Sequence, residues 1–304
     1  MNELVTDIKS LELETLKNLK SSKANNTLRA YKADFKDFAL FCQNNGLNSM
    51  PSEPKIITIY LTHLSKSSKF STLKRRLASI SVVHKLNGHY LDTKHPIITE
   101  NLLGIKRVKG TYQKAKKPIL INDLKLIINA ILKDKNQKNR LKNKALLLIG
   151  FAGGFRRSEL VAIDMEDIEF VNEGVKIFVK RSKTDQSGEG MTKGIPYFPN
   201  LDYCPVLSLK EWIEDSNIKS GKVFDMSDKN VALTIKKYAE LAGLDKNKYA
   251  GHSLRSGFAT STAELGAEER SIMAMTGHKT TQMVRRYIKE ANLFKNNALN
   301  KIKL

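Results

Sequence analysis

Residues 139–160 read NRLKNKALLLIGFAGGFRRSEL. The run Ala145–Ile149 is apolar on every face, which predicts a helix buried in a core rather than lying on a surface. Gly153–Gly154 ends it. Two arginines, Arg156 and Arg157, come next, and SEL starts another helix. An arginine at a helix start, beside free backbone N–H groups, is placed to grip a phosphate. Downstream, GVKIFVKRSKT alternates Val175, Ile177 and Val179 as a strand does. A turn, DQSGEG, and a returning strand, GIPYFP, complete a hairpin. Beyond Pro205 the pattern is helical again. The expected fold class is therefore mainly α with a small β-hairpin or sheet.

Upstream, the pattern is helical throughout. In NTLRAYKADFKDFALFCQNNG, Leu28, Tyr31, Phe35, Phe38 and Phe41 recur at helical spacing, with Asn26–Thr27 as cap and Asn44–Asn45–Gly46 as stop. KIITIYLTHLSK follows Pro54. In SKFSTLKRRLASISVVHKLNG, Leu73, Leu77, Ile80 and Val83 share a face, and Lys74, Arg75 and Arg76 lie next to it as a basic cluster able to meet a DNA groove. Residues 105–118, IKRVKGTYQKAKKP, hold six basic residues and no acid, a linker composition that can track a phosphate backbone. The predicted domains are 1–105, a helical N-terminal domain; 106–117, a basic linker carrying Lys106, Arg107, Lys116 and Lys117; and 118–304, in which Asn122–Asp123 caps the first helix.

The 304 residues carry 52 Lys+Arg against 31 Asp+Glu, a net charge of +21. Residues 1–117 contain 21 basic and 9 acidic residues, and 118–304 contain 31 and 22, so both parts are basic. A long anion touching both accounts for this, and nucleic acid fits best. No apolar run approaches the ~18 residues of a membrane span. MNELVTDIKSLELETL has no signal-peptide pattern, so a cytoplasmic location and no membrane partner are expected. Cys42 and Cys204 form no CxxC pair and no zinc pattern.

Four stretches concentrate cationic or nucleophilic residues: GFRRSEL (154–160), RSKTDQ (181–186), HSLR (252–255) and TGHKTTQMVRRY (276–287). In order and spacing they resemble the tyrosine site-specific recombinases, or phage integrases. That family has a first arginine in a G-L-R-x-S-E-L motif, a hairpin lysine, H-x-x-R, G-H, and a tyrosine nine residues past the last histidine. Here these fall on Arg156, Lys183, His252, Arg255, His278 and Tyr287, with Glu159 matching the acidic residue after the first arginine. The resemblance is close over 118–290 and looser over the N-terminal helices, which resemble the family's core-binding domain.

The resemblance implies DNA strand exchange through a 3′-phosphotyrosine at Tyr287, within a clamp formed on DNA by two domains. Arg156 and Arg255 suit the non-bridging oxygens, because guanidinium forks do not deprotonate. His252 and His278 either donate hydrogen bonds to those oxygens or move a proton. Lys183 is the candidate acid for the departing 5′ oxygen, and Glu159 orients a catalytic side chain. Arg157 keeps open a shift of the first arginine by one position. Arg285 and Arg286 read as phosphate contacts, while His63 and His84 read as structural. The broken bond's energy stays in the phosphotyrosine, so neither metal nor nucleotide cofactor is expected. The family also implies a tetramer on double-stranded DNA, with possible accessory DNA-bending proteins. The segment IKEANLFKNNALNKIKL after Tyr287, with Phe294, Leu299, Ile302 and Leu304, is the candidate docking helix.

The hairpin RSKTDQSGEG departs from the G-K-G-x-K-x-R form of chromosome-dimer resolvases and points to a mobile element, such as a phage, plasmid or integrative element. Chromosome-dimer resolution, a type IB topoisomerase and a catalytically inert DNA-binding regulator remain the alternatives. GHSLR approaches the G-x-S-x-G elbow of hydrolases, but Arg255 replaces its last glycine and no strand precedes it.

Overall fold

A computed structural model describes residues 8–21, 24–111, 115–182, 185, 188–291 and 298–302. The chain divides into two compact units, Met1–Lys114 and Ala115–Leu304.

The first unit is helical: α1 (Ile8–Ser21), α2 (Asn25–Asn44), α3 (Pro54–Ser65), α4 (Phe70–Leu86) and α5 (Pro96–Lys109). Proline opens α3 and α5, where its missing N–H is harmless. The α2 and α4 helices pack together, as do α3 and α5. Phe38, Ile57, Tyr60, Leu61, Leu73, Ile80 and Ile98 form the core. The α2 stripe sits as its spacing predicts, with Phe38 against Tyr60 edge-on at 5.0 Å between ring centres. His84 is fully buried and its Nε2 accepts the Ser52 backbone N–H, a structural role.

Three sequence expectations change here. The α2 helix starts ahead of the expected Asn26–Thr27 cap, with Ala24 as N-cap and no side-chain bond. The helix α5 runs four residues into the stretch read as linker, because nothing breaks it before Gly110. Arg75 and Arg76 are not a free basic face. Asp34, 3% exposed, pairs with both and accepts a hydrogen bond from Ser79, and Asp37 takes a second bond from Arg76 at 2.8 Å. Arg76 is therefore spent inside the unit.

The second unit begins with α6 (Ile121–Leu132) and α7 (Gln137–Ala152). The α6 helix starts ahead of the expected Asn122–Asp123 cap: Leu120 is the N-cap and makes no side-chain bond. Asn136 caps α7 through its side chain, and every residue from Ala145 to Ala152 is buried. A single turn, α8 (Arg157–Leu160), leads to β1 (Ile168–Val171), β2 (Gly174–Val179) and β3 (Met191–Pro196), an antiparallel sheet in the order β1-β2-β3. The sequence pattern gave two strands; β1 is the third. Five helices follow: α9 (Pro205–Ser216), α10 (Asp228–Leu241), α11 (Ser253–Glu264), α12 (Glu269–Thr276) and α13 (Thr281–Ala291). The α7 helix is the hub, packing on α6, α9 and α11. Gly257 on α11 abuts the backbone at Ile119, where a Cβ would lie 1.9 Å from the carbonyl oxygen. Among the described residues no helix is long and apolar enough to cross a membrane.

Candidate active site

The turn between α7 and α8 carries the first arginine. Arg156 is the N-cap of α8. The Glu159 carboxylate accepts its backbone N–H at 2.9 Å and its Nη1–H at 2.5 Å. Glu159 is 4% exposed, so this pairing takes place in a low dielectric and fixes the guanidinium firmly. Arg157 points elsewhere. Its stem crosses Gly251, where a Cβ would lie 1.7 Å from its Cδ, and its Nη2 lies 3.4 Å from Asp228. Arg156 thus faces Glu159, and Arg157 packs against the 251 turn.

HSLR opens α11. His252 is the N-cap, with an exposed edge; Ser253 is the first helical residue, and its Oγ accepts the Ala250 N–H. Arg255, one turn in, is fully buried. Its Nη1 donates to the Gly154 carbonyl at 2.9 Å, while Nε and Nη2 find no acceptor among the described residues. Buried donors without partners are costly. Burial first, and Arg156 second, lower the Arg255 pKa from its ordinary arginine value to about 10. It remains cationic at pH 7.

The same field acts on the histidines. Burial, then Arg255, Arg156 and His252, lower His278 to about 4. Partial desolvation, then Arg255, Arg156 and Arg157, lower His252 below its usual value. His278 is therefore neutral at pH 7, and its tautomer follows from its neighbour. The Thr276 hydroxyl donates its one hydrogen to the Ile272 carbonyl at 2.6 Å, so at 2.7 Å from His278 Nδ1 it can only accept. Nδ1 carries the hydrogen, and Nε2 presents a lone pair able to take a proton.

Tyr287 on α13 packs against Ala259, Ala263, Ile272 and Val284, with its ring centre 6.1 Å from that of His278. The structure thus brings Arg156, Glu159, Arg255, His252, His278 and Tyr287 into one electrostatically coupled group. Lys183 lies outside the described residues. Further along the chain, the Asp185 carboxylate accepts the backbone N–H groups of Gly188, Glu189 and Gly190.

One group was missed in the sequence. Lys193 on β3 is 1% exposed, pairs across the sheet with Ile177, and donates to the Gly153 carbonyl at 2.7 Å. The returning strand read from Gly194 onward excluded it; the alternation Lys193–Ile195 on the inward face is the signal that finds it.

The other expected contacts separate. Lys74, Lys106, Arg107 and Arg286 are exposed. Lys117 is engaged by Asp123 at 3.0 Å and lies over the Tyr249 ring, and Lys116 donates to the Asn247 carbonyl. Arg285 pairs with Glu269 at 3.4 Å. In the first unit a cavity of about 650 Å³ is rimmed by Lys66, Lys69, Lys74, Lys106 and Lys109 with no acid among its lining residues. That lysine rim, spread over three segments, is invisible as a run in the sequence. Among the described residues no three His, Cys, Asp or Glu side chains converge as a metal ion would require.

A profile of the phage integrase family matches residues 119–293. An integrase/recombinase xerD homolog of Selenomonas ruminantium is 42% identical over 99% of this chain and 92% of its own length. Among solved structures, the XerH site-specific recombinase in a post-cleavage complex with a palindromic difH substrate aligns with a TM-score of 0.61 at 18% identity, covering 81% of this chain and 73% of that one. A lambda integrase tetramer bound to a Holliday junction aligns with a TM-score of 0.56 at 17% identity, covering 96% and 79%. With its arginines, histidines and tyrosine in one coupled group, the chain belongs to the phage integrase family, the tyrosine recombinases, enzymes that cleave and rejoin DNA.

Proposed function

We propose that this protein is a site-specific recombinase in which Tyr287 Oη attacks a backbone phosphate of double-stranded DNA. The Tyr287 O–P bond forms as the P–O5′ bond breaks, leaving a 3′-phosphotyrosine and a 5′ hydroxyl. Arg156 and Arg255 hold the non-bridging oxygens, preorganised for the charge that gathers there. The observation that carries this reading is the pair of buried Arg255 donors without an acceptor among the described residues, in the same field as Tyr287. His278 Nε2 is suited to take the phenol proton, and His252 donates to a phosphate oxygen. Lys183 supplies the proton to the departing 5′ oxygen. Religation reverses these steps with no external energy source, metal or nucleotide.

The 1–105 domain and the 118–304 domain both contact the duplex, the first through its lysine-rimmed cavity rather than Arg75 and Arg76. Four copies assemble on two duplexes. An apolar groove of about 660 Å³, lined by Ile121, Leu124, Leu148, Phe151, Phe258 and Leu265, is suited to receive the segment after Tyr287 from a second copy. Leu299 and Ile302 in that segment are 67% and 57% exposed. The protein acts in the cytoplasm, where its DNA is.

The hairpin RSKTDQSGEG favours an integrase of a mobile element. The similarity to the Selenomonas ruminantium xerD homolog favours the second reading, resolution of chromosome dimers. Trapping the covalent adduct on DNA of the source genome and sequencing the attached ends separates them. Ends of a mobile element support the first reading, one chromosomal site supports the second, and random attachment overturns site specificity.

A further inference from the structure

A lysine on the inward face of a buried strand needs a reason, because desolvating an ammonium is costly and an apolar side chain would fill the place more cheaply. Lys193 occupies such a position. Its neighbours on that face and on the facing strand are Ile195, Val175 and Ile177, all buried. Its Nζ has three partners: the Gly153 carbonyl at 2.7 Å, the Phe155 ring at 4.2 Å and Glu159 Oε2 at 3.9 Å. The first two belong to the turn that presents Arg156, and the third to the α8 helix that Arg156 caps. The adjacent carbonyl, Gly154, is held by Arg255. Two consecutive carbonyls are thus tied to two different cations, one from β3 and one from α11. The carboxylate between them serves Arg156.

We propose that Lys193 is a positioning residue for strand cleavage: by fixing the Gly153 carbonyl and sharing Glu159, it locks the turn so that Arg156 and Arg255 address one phosphate together. Its effect passes through those side chains, without contact with DNA. The inference rests on the site assignment made above. The groups facing Lys193 are Glu159 on α8, Arg156 before it and Arg255 on α11. Burial, with Arg255 and Arg156 adding to it, lowers the Lys193 pKa to about 7 against the opposing pull of Glu159. The lock is therefore charged below neutrality and loses its charge as pH rises. A bound phosphate, adding negative charge beside it, moves that loss upward.

The test is single-turnover formation of the covalent adduct on a nicked DNA substrate that traps it, from pH 6 to 9 at saturating DNA, for the wild type, Lys193→Met and Lys193→Arg. In the wild type the rate carries a descending limb between pH 7 and 9. Lys193→Met keeps the stem, drops the rate about tenfold or more, leaves DNA affinity within about twofold, and loses that limb. Lys193→Arg keeps the charge, restores most of the rate and also lacks the limb. A Lys193→Met enzyme with the wild-type rate and profile overturns the inference, as does a rate loss fully explained by weaker DNA binding. Should Lys193→Met not fold, Lys193→Gln takes its place, and a Lys193→Gln enzyme with the wild-type rate at saturating DNA overturns the inference. Wild-type protein that forms no adduct at all refutes the site assignment itself, which is a different outcome.

Discussion

Arg255→Met separates function from stability most sharply. The Arg255 pKa, lowered by burial and by Arg156 from the ordinary arginine value to about 10, means that the folded protein holds the charged form at a disadvantage of about 3 kcal/mol. Methionine removes that disadvantage and follows much of the arginine stem. It also strips the Gly154 carbonyl of its donor, which costs about 1–3 kcal/mol in a buried position. The balance predicts a variant between equally stable and about 2 kcal/mol more stable than the wild type. Urea unfolding at pH 7 followed by Trp212 fluorescence reads this directly, because Trp212 is the one tryptophan and lies 4% exposed in the second unit. Adduct formation by the same variant falls by at least about 10³, the scale of an arginine acting on a phosphoryl transition state. A variant destabilised by more than about 2 kcal/mol refutes the reasoning: Arg255 would then be a satisfied core residue, and not a charge held for a ligand.

Other perturbations test separate parts of the account. Because His278 is depressed to about 4, the unfolded chain binds more protons between pH 6.5 and 4; stability therefore falls as pH drops through that window, by about 1–2 kcal/mol after solvent screening, and His278→Gln flattens the slope. The two glycines of α11 and its entry differ: Gly257→Ala forces a Cβ onto a backbone carbonyl and costs about 3 kcal/mol, whereas Gly251→Ala displaces the Arg157 stem and costs about 1, both read as urea midpoints. Asp34→Asn leaves Arg75 and Arg76 without their shared carboxylate and destabilises the first unit by about 3 kcal/mol in a circular-dichroism melt. The double variant Lys69→Ala, Lys106→Ala leaves that melt unchanged and reduces the slope of log affinity against log salt by about 2.

The sequence revealed most where one segment carries its own evidence. The apolar run Ala145–Ile149 announces a buried helix, and alternating Val175, Ile177 and Val179 announce a strand, because each pattern matches a local period. The short β1, with Glu169 in its middle, has too few alternating positions to stand out. Pairings across the chain were hidden for a different reason. The Arg76–Asp34 contact joins residues 42 apart on two helices, and only their packing shows that the arginine is spent. Motif spacing placed Arg156, His252, Arg255, His278 and Tyr287, yet it said nothing of the burial that lowers the histidine pKa values. Lys193 was illegible because its meaning depends on the strand register that turns it inward.

The central claim is that Tyr287 is the residue joined to DNA, and one measurement addresses it most directly. Wild-type protein is reacted with a nicked trapping substrate, the adduct is digested with protease and nuclease, and the nucleotide-bearing peptide is sequenced by mass spectrometry. The account predicts a nucleotide 3′-phosphate on Tyr287, within the peptide that follows Arg286, and no adduct from Tyr287→Phe. A nucleotide on any other residue, or an adduct that survives Tyr287→Phe, contradicts it.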